Sequence, residues 1–391
     1  MRLQLTGSLR LGGVVLLCSI GSARAQSSSA DVSVSAATAY GSYADTDHVF
    51  VQTPSVSGVV SNPVAGWSVG GQYLVDVVSA ASVDIVSTAS RRWQEVRQQG
   101  NLDASYKPGT LGFAATGALS DEPDYLSWTV GGTVTKDLFQ KNLTLLFGYF
   151  HTHDTAGRTG TPFSVFSETL NSEAFKGAAT VVVNRATLAS IIGDAIVESG
   201  NQSKPYRFIP LFTPGTYVPL GASVDLVTRL RVAARPLEQL PLSRDRFALS
   251  GQLAHRFRWS TLRLEERLYL DSWELFASTT DARYLFDLGR RVETGPHARL
   301  HAQTAVSFWQ RAYVLEPGFS YPQYRTGDRE LGPLVNVTGG YSLKIGVGSK
   351  RDPKEWVLGF DADLTSTRFL DDLYVTERVS GLLGITLEAN L

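Results

Sequence analysis

The chain has 391 residues, 43% of them hydrophobic, 19% charged and 10% aromatic, with 36 Gly and a formal charge of −1. This excludes a disordered or collagen-like chain, and the near-neutral balance gives no overall attraction for nucleic acid. A single Cys excludes a disulfide framework and a Cys-built metal centre, and a mean hydropathy of −0.04 argues against membrane helices but not against a membrane barrel, whose strands place only every second residue on lipid.

The first segment reads as an address. Arg2 and Arg10 mark a positive n-region, Leu11 to Ile20 form an apolar stretch, and Ala23-Arg24-Ala25 supplies small residues for cleavage before Gln26. That is the layout of a secretory signal peptide over 1–25, too short to span as a helix. Leu17 before Cys18 is not the small residue that lipidation requires. Cleavage removes three Arg, the Cys and the Met, so the charge moves from −1 to −4.

Beyond it, apolar and polar residues alternate with period two. Trp67, Val69, Gly71, Tyr73, Val75 and Val77 oppose Ser68, Gln72 and Asp76; Leu126, Trp128, Val130, Gly132 and Val134 oppose Ser127, Thr129, Thr133 and Thr135. Phe247, Leu249, Gly251 and Leu253 oppose Arg246, Ser250, Gln252 and Arg256, and Ala298, Leu300, Ala302, Val306 and Phe308 oppose His297, Arg299, His301, Gln303 and Ser307. Such alternation predicts strands with one apolar face. They fall near 31–43, 47–60, 65–78, 93–106, 111–119, 125–136, 142–151, 172–183, 186–198, 245–257, 261–275, 280–290, 296–309, 334–345, 355–363 and 379–391.

Connections after even-numbered strands are short, whereas the long ones, 79–92, 152–171, 199–244 and 310–333, follow odd-numbered strands. This parity predicts an all-β fold: a transmembrane antiparallel β-barrel of about 16 strands, with short periplasmic turns and long extracellular loops. Fourteen is the alternative if 186–198 and 355–363 are not strands. In the first of these, Leu188, Ile191, Ile192, Ala195 and Ile196 follow helical spacing. Glu266 falls on the lipid row of Leu262, Leu264, Leu268 and Leu270, a costly place that calls for a bulge, a register change or a subunit contact.

The polar faces carry the candidate chemistry. Arg263, Glu265, Arg267 and Asp271 project away from the apolar row and are joined by Arg246, Arg256, Arg299 and Gln303 from neighbouring strands. In a pore such rows set ion preference; in a plugged barrel they pair with one another. His151, His153 and Asp154 form an H-x-H-D cluster with the residue types of a metal site, against the simpler reading of a solvated rim. Asp76 with Asp84, and the Thr326-Gly327-Asp328 turn, have oxygen ligands for calcium but too few of them. No Gly-x-Ser-x-Gly, His-Glu-x-x-His or P-loop pattern occurs, so no cofactor and no enzyme is expected, a barrel hydrolase ranking third among the readings.

Several stretches resemble the family of Gram-negative outer-membrane proteins known as domain of unknown function 3570. They are Tyr73 to Ser90 (YLVDVVSAASVDIVSTAS), Lys204-Pro205-Tyr206-Arg207, Asp271-Ser272-Trp273, and Tyr324-Arg325-Thr326-Gly327-Asp328-Arg329-Glu330-Leu331. The resemblance implies an outer-membrane β-barrel without an assigned activity, and favours a strand for 186–198. Expected partners are outer-membrane lipid, the barrel assembly machinery during biogenesis, and small hydrophilic solutes, since a barrel of this size leaves an aqueous lumen. A passive, porin-like channel is the first expectation; a non-conducting barrel that binds partners through its loops is the second.

Overall fold

Hydrocarbon offers no hydrogen bonds to a backbone, so alternating strands in a membrane must pair on both edges. The computed structural model, which describes residues 32–80, 93–205, 207–315, 318, 320–349, 352 and 354–390, shows this solution. The strands are β1(Ser33–Asp45), β2(Val49–Asn62), β3(Trp67–Ala80), β4(Trp93–Tyr106), β5(Leu111–Glu122), β6(Tyr125–Leu138), β7(Leu143–Ala156), β8(Glu168–Asn184) and β9(Thr187–Gly200). There follow β10(Leu211–Phe212), the short helix α1(Val224–Leu230), β11(Ser243–Arg256), β12(Ser260–Asp271), β13(Phe276–Leu288), β14(Val292–Gln303), β15(Tyr313–Val314), β16(Leu334–Gly346), β17(Trp356–Phe369) and β18(Glu377–Asn390). All except β10 and β15 form one closed barrel of 16 antiparallel strands. Ser35 to Asp45 of β1 pair with Asn390 to Ser380 of β18 and close it.

All sixteen expected strands are present, so the fourteen-strand alternative falls. The helical spacing of 186–198 does not produce a helix. Thr187–Gly200 pairs with β8 on one side and β11 on the other, and a helix there would leave two unpaired edges in lipid. The expected strands at 261–275 and 296–309 end earlier, at Asp271 and Gln303. Trp273, Val306 and Phe308 continue the apolar rhythm because they pack together in the loops beyond the strands. The signal peptide, Asp84 and Leu391 lie outside the described residues.

Turn lengths keep the predicted parity. On the side of the termini the turns run from two residues (185–186) to nine (347–355), while the opposite end carries 201–242 and 304–333. Gly66 shows how tightly the short turns are built. Its φ is +76°, and a Cβ there would lie 2.3 Å from the carbonyl oxygen of Lys107, so only glycine fits. Trp128 is exposed near the extracellular end of β6, and Tyr106, Trp259 and Trp356 at the periplasmic end, where interfacial aromatics are expected, while Tyr40, Tyr73, Tyr149 and Tyr341 are exposed near the middle of their strands.

Packing is inverted relative to a water-soluble protein. Leucines of the outer wall are exposed, whereas the largest fully buried side chains include Phe212, Tyr313, Ile209, Leu211 and Leu334, in or next to the extracellular loops. Loops 201–242 and 304–333 are stitched by the parallel pairs Leu211↔Tyr313 and Phe212↔Val314 and by the bridge Gln239↔Arg325. Phe212, Val218, Ala222 and Val227 pack on Leu373 of the β17–β18 loop. Leu240, Val306 and Leu331 pack on Trp273, Leu275 and Ala277. The result is a cap, a packed layer of loops at the extracellular end, seated on the β12–β13 and β17–β18 loops.

Glu266 needs neither a bulge nor a register change. Pairing runs unbroken through it to Gly251 and Thr280. Its carboxylate accepts hydrogen bonds from Ser278 (2.6 Å) and Thr280, two hydroxyls on the same lipid-facing surface. These bonds replace only part of the hydration lost, so Glu266→Leu is expected to stabilise the barrel by about 1–2 kcal/mol. A rise in the temperature at which heat-modifiable mobility is lost checks this; a fall would show that the two hydroxyl bonds outweigh the cost of an acid on lipid.

Candidate functional site

Alternation turns Arg246, Arg256, Arg263, Glu265, Arg267, Asp271, Arg299 and Gln303 to the inner face, opposite the exposed leucine rows. The structure then divides them into three groups. Arg246, Asp271 and Gln303 stand at the extracellular end, where Arg246 joins β11 to β9 and the other two bind loop backbone. Asp271 Oδ1 accepts from the backbone N–H groups of Trp273 (2.9 Å) and Leu275 (3.1 Å), and its Oδ2 takes Arg244 and the Tyr269 hydroxyl (2.8 Å). Arg246 pairs with Glu198 at 2.7 Å. The Gln303 amide donates to the carbonyls of Glu330 (2.9 Å) and Gly332 (2.8 Å).

Arg256, at the periplasmic end, pairs with Asp287 and donates to Thr261 at 3.0 Å. Midway along the wall, Arg267 pairs with Asp194 at 3.0 Å, a carboxylate shared with Lys176 at 3.3 Å. Glu265 accepts from Gln252 at 3.0 Å. Arg263 and Arg299 have no such partner among the described residues. The wall from β1 to β9 carries hydroxyl pairs such as Ser33–Ser61 (2.8 Å), Ser68–Ser105 (2.7 Å), Thr129–Thr152 (2.8 Å) and Thr180–Ser190 (2.9 Å) beside ionised groups such as Asp76, Arg97, Lys176 and Asp194.

His297 links three strands. Its Nε2 lies 2.8 Å from Asp281 on β13 and its Nδ1 3.0 Å from Asp363 on β17, which reaches across β16. Gly340 makes that reach possible: a Cβ there would stand 1.7 Å from Asp363 Oδ1. His301 bonds Thr279 (2.7 Å) and Gln303 (3.3 Å). The two histidines thus serve separate partners.

The H-x-H-D cluster does not converge. His151 and His153 face outward beside Trp128, facing Glu173 (2.8 Å) and Asn171 (2.7 Å). Asp154 is buried on the other face of the same strand, because side chains one residue apart point to opposite sides. Asp76 is occupied by Arg97 and Thr53. A cluster that nothing in the spacing announces brings carboxylate oxygens of Glu95, Glu122 and Asp124 within 4.8 Å of one another, from two strands and a turn.

Two of the family-like stretches, around Lys204 and Arg207 and around Thr326 and Asp328, meet in the cap; Tyr73 to Ala80 lie on β3, and 81–90 and Tyr206 lie outside the described residues. Lys204 Nζ lies 2.6 Å and Arg207 3.1 Å from Asp328, and Arg207 also lies 3.3 Å from Glu238. Thr326 donates to Glu238 at 2.7 Å and accepts from the Asp328 N–H at 2.9 Å. The Tyr313 hydroxyl accepts from the Thr326 N–H (2.9 Å) and donates to the Phe308 carbonyl (3.0 Å), and burial pushes its pKa up to about 12. Arg325 donates to the carbonyls of Leu237 and Pro322, both at 2.8 Å. Arg329 pairs with Asp47 of the β1–β2 turn at 2.8 Å, and Glu330 with Arg378 of β18 at 3.2 Å. Tyr324 packs at the rim against Phe308. Gly327 lies beside Ile209 and Arg207, where a Cβ would come within 3.3 Å of the isoleucine. The Asp328 carboxylate is therefore consumed by cations of the chain, and turn geometry accounts for Thr-Gly-Asp without calcium.

These features define an outer-membrane-type β-barrel with a packed extracellular cap. The chain belongs to the family described as protein of unknown function (DUF3570), whose model matches residues 77–356. No curated protein matches it. Among solved structures it is similar to the siderophore receptor PirA from Pseudomonas aeruginosa, with 11% identity, a TM-score of 0.43, and coverage of 92% of this chain and 62% of that one. Similarity to PirA from Acinetobacter baumannii is comparable, at 9% identity and a TM-score of 0.43, covering 88% and 54%. The chain thus spans less than two thirds of either receptor. Similarity to Pseudomonas aeruginosa OprD reaches 9% identity and a TM-score of 0.43, covering 92% and 96%.

Burial alone would raise the Asp328 carboxyl, but Lys204 and Arg207 outweigh it and hold the group well below the usual carboxylate range. A depressed pKa gives stability that is present above the unfolded value of about 3.9 and is lost as pH falls from there toward the folded value. Limited proteolysis of the cap loops is therefore expected to stay constant from neutral pH to about 5 and to rise only below about 4. Asp328→Asn leaves Lys204 without a carboxylate and Arg207 with Glu238 alone and is expected to cost the cap about 3 kcal/mol, opening 201–242 and 304–333 to protease at neutral pH while the barrel stays heat-modifiable. Uncleaved loops in that variant would remove the ionic cluster as the element holding the cap.

Proposed function

We propose that the protein is a passive channel for small hydrophilic solutes, with its extracellular entrance narrowed by the cap. The observation that supports this reading is the inner wall itself. It combines hydroxyl pairs with ionised groups in a closed barrel of 16 strands, and barrels of that size enclose an aqueous lumen when no plug domain fills them. Solutes would pass the mid-wall residues Arg263, Glu265, Arg267 and Arg299, while lipid surrounds the outer wall. On this reading the protein is not an enzyme and carries no cofactor; it crosses the outer membrane after export and insertion by the assembly machinery.

One observation favours the alternative of a partner-binding barrel: the cap has an apolar core of its own. Recordings in planar bilayers separate the two. Purified, heat-modifiable protein is expected to open discrete conductance steps, with larger steps in the cap-loosened Asp328→Asn variant. Absence of steps at every voltage in both proteins would leave the partner-binding reading in place of the channel.

A further inference from the structure

Inner-wall cations fall into two sets. Arg244, Arg246, Arg256, Arg267 and Lys176 each have a carboxylate within 3.3 Å. Among the described residues Arg263 and Arg299 have none, although acids stand close by, and the same holds for Lys344 near the periplasmic end of β16. Arg299 is directly opposite Asp281, but Asp281 spends Oδ1 on Arg283 at 3.5 Å and Oδ2 on His297 at 2.8 Å. Glu265, two residues from Arg263, is engaged with Gln252.

Arg263 has a second peculiarity. Its cross-strand partner is another arginine, Arg283. Like charges directly opposite one another on paired strands repel and lower stability. Three guanidiniums thus lie in two adjacent rows of β12, β13 and β14, one of them exposed and two half-buried. A guanidinium presents a planar fork that matches the two oxygens of a carboxylate or phosphate, and such charge-assisted pairs exceed neutral hydrogen bonds in strength. Arg283 also lines a neighbouring recess, together with His297, Ser342, Asp361 and Asp363.

We propose that Arg263 and Arg299, supported by Arg283, form an anion-binding track on the inner wall that takes small organic anions through a carboxylate or phosphate group. This deepens the channel reading and rests on it for the transport role, but binding is testable separately. In planar bilayers under a potassium chloride gradient, wild-type protein is expected to reverse at a potential that favours chloride. In Arg263→Gln/Arg299→Gln the chloride-to-potassium permeability ratio should fall by roughly two- to five-fold, the scale set by one unit charge at contact in water. Arg263→Lys/Arg299→Lys should keep the chloride preference, and it serves as the folded control if the glutamine variant does not assemble. Succinate added to one side should reduce the single-channel current of the wild type and leave the glutamine variant unaffected.

The failures are distinguishable. If the protein opens no steps, the channel reading falls, and calorimetric titration of succinate into detergent-solubilised wild type and glutamine variant decides the track alone: binding lost in the variant upholds it, and equal or absent binding overturns it. If steps open but the wild type favours potassium, or the glutamine variant reverses at the same potential, the track is overturned while the channel stands.

Discussion

Everything in this structure follows from one constraint: in hydrocarbon a backbone polar group can be satisfied only by another backbone. The ladder from β1 around to β18 meets it by closing on itself. Closure fixes the division of side chains, because each strand must show one face to lipid and the other to the interior. It also fixes where an apolar core can form. The outer wall has lipid as its partner and the inner wall is polar, so conventional close packing is left to the loops, which gather around Phe212, Tyr313 and Trp273.

The cap has the opposite problem, that of burying charge away from water. A buried ion pair is tolerated when its remaining donors and acceptors are met. Arg207 lies between Glu238 and Asp328, Thr326 bonds both acids through one hydroxyl, and the Tyr313 hydroxyl closes the backbone of the same turn. Residues more than a hundred positions apart in sequence are thereby made interdependent. This gives the Lys-Pro-Tyr-Arg and Tyr-Arg-Thr-Gly-Asp-Arg-Glu-Leu stretches a physical reason to occur in one chain. On the inner wall the same logic separates cations that hold structure from those, Arg263 and Arg299 among them, that have no carboxylate partner among the described residues.

The fold was legible because alternation and loop parity are local properties. Trp67 to Val77 and Phe247 to Leu253 show their faces without reference to any other strand. Strand ends were less legible, since Val306 and Phe308 keep the strand rhythm while packing in a loop, and only the contact with Trp273 and Leu331 shows why. The site was legible as a set of inward residues but not as roles. Nothing along the chain tells that Asp271 is spent on a turn while Arg299, on an equivalent inner row, loses its neighbour to His297. The Lys204–Asp328 contact and the passage of Asp363 over Gly340 depend on tertiary closure, which spacing does not encode.

The pair Asp47–Arg329 has a bearing on how the molecule comes into being. Asp47 belongs to the first hairpin and Arg329 to the loop ahead of β16, so the pair straddles the line where β18 meets β1. Thr46 and Val379 clasp the same line, the Thr46 N–H donating to the Val379 carbonyl and the Val379 N–H to the Thr46 hydroxyl. The first hairpin is synthesised before any of these partners and meets them only when the sheet becomes a cylinder. This one tie between the cap and the first hairpin therefore depends on the last seam, joining an acidic turn to an arginine nearly three hundred residues downstream.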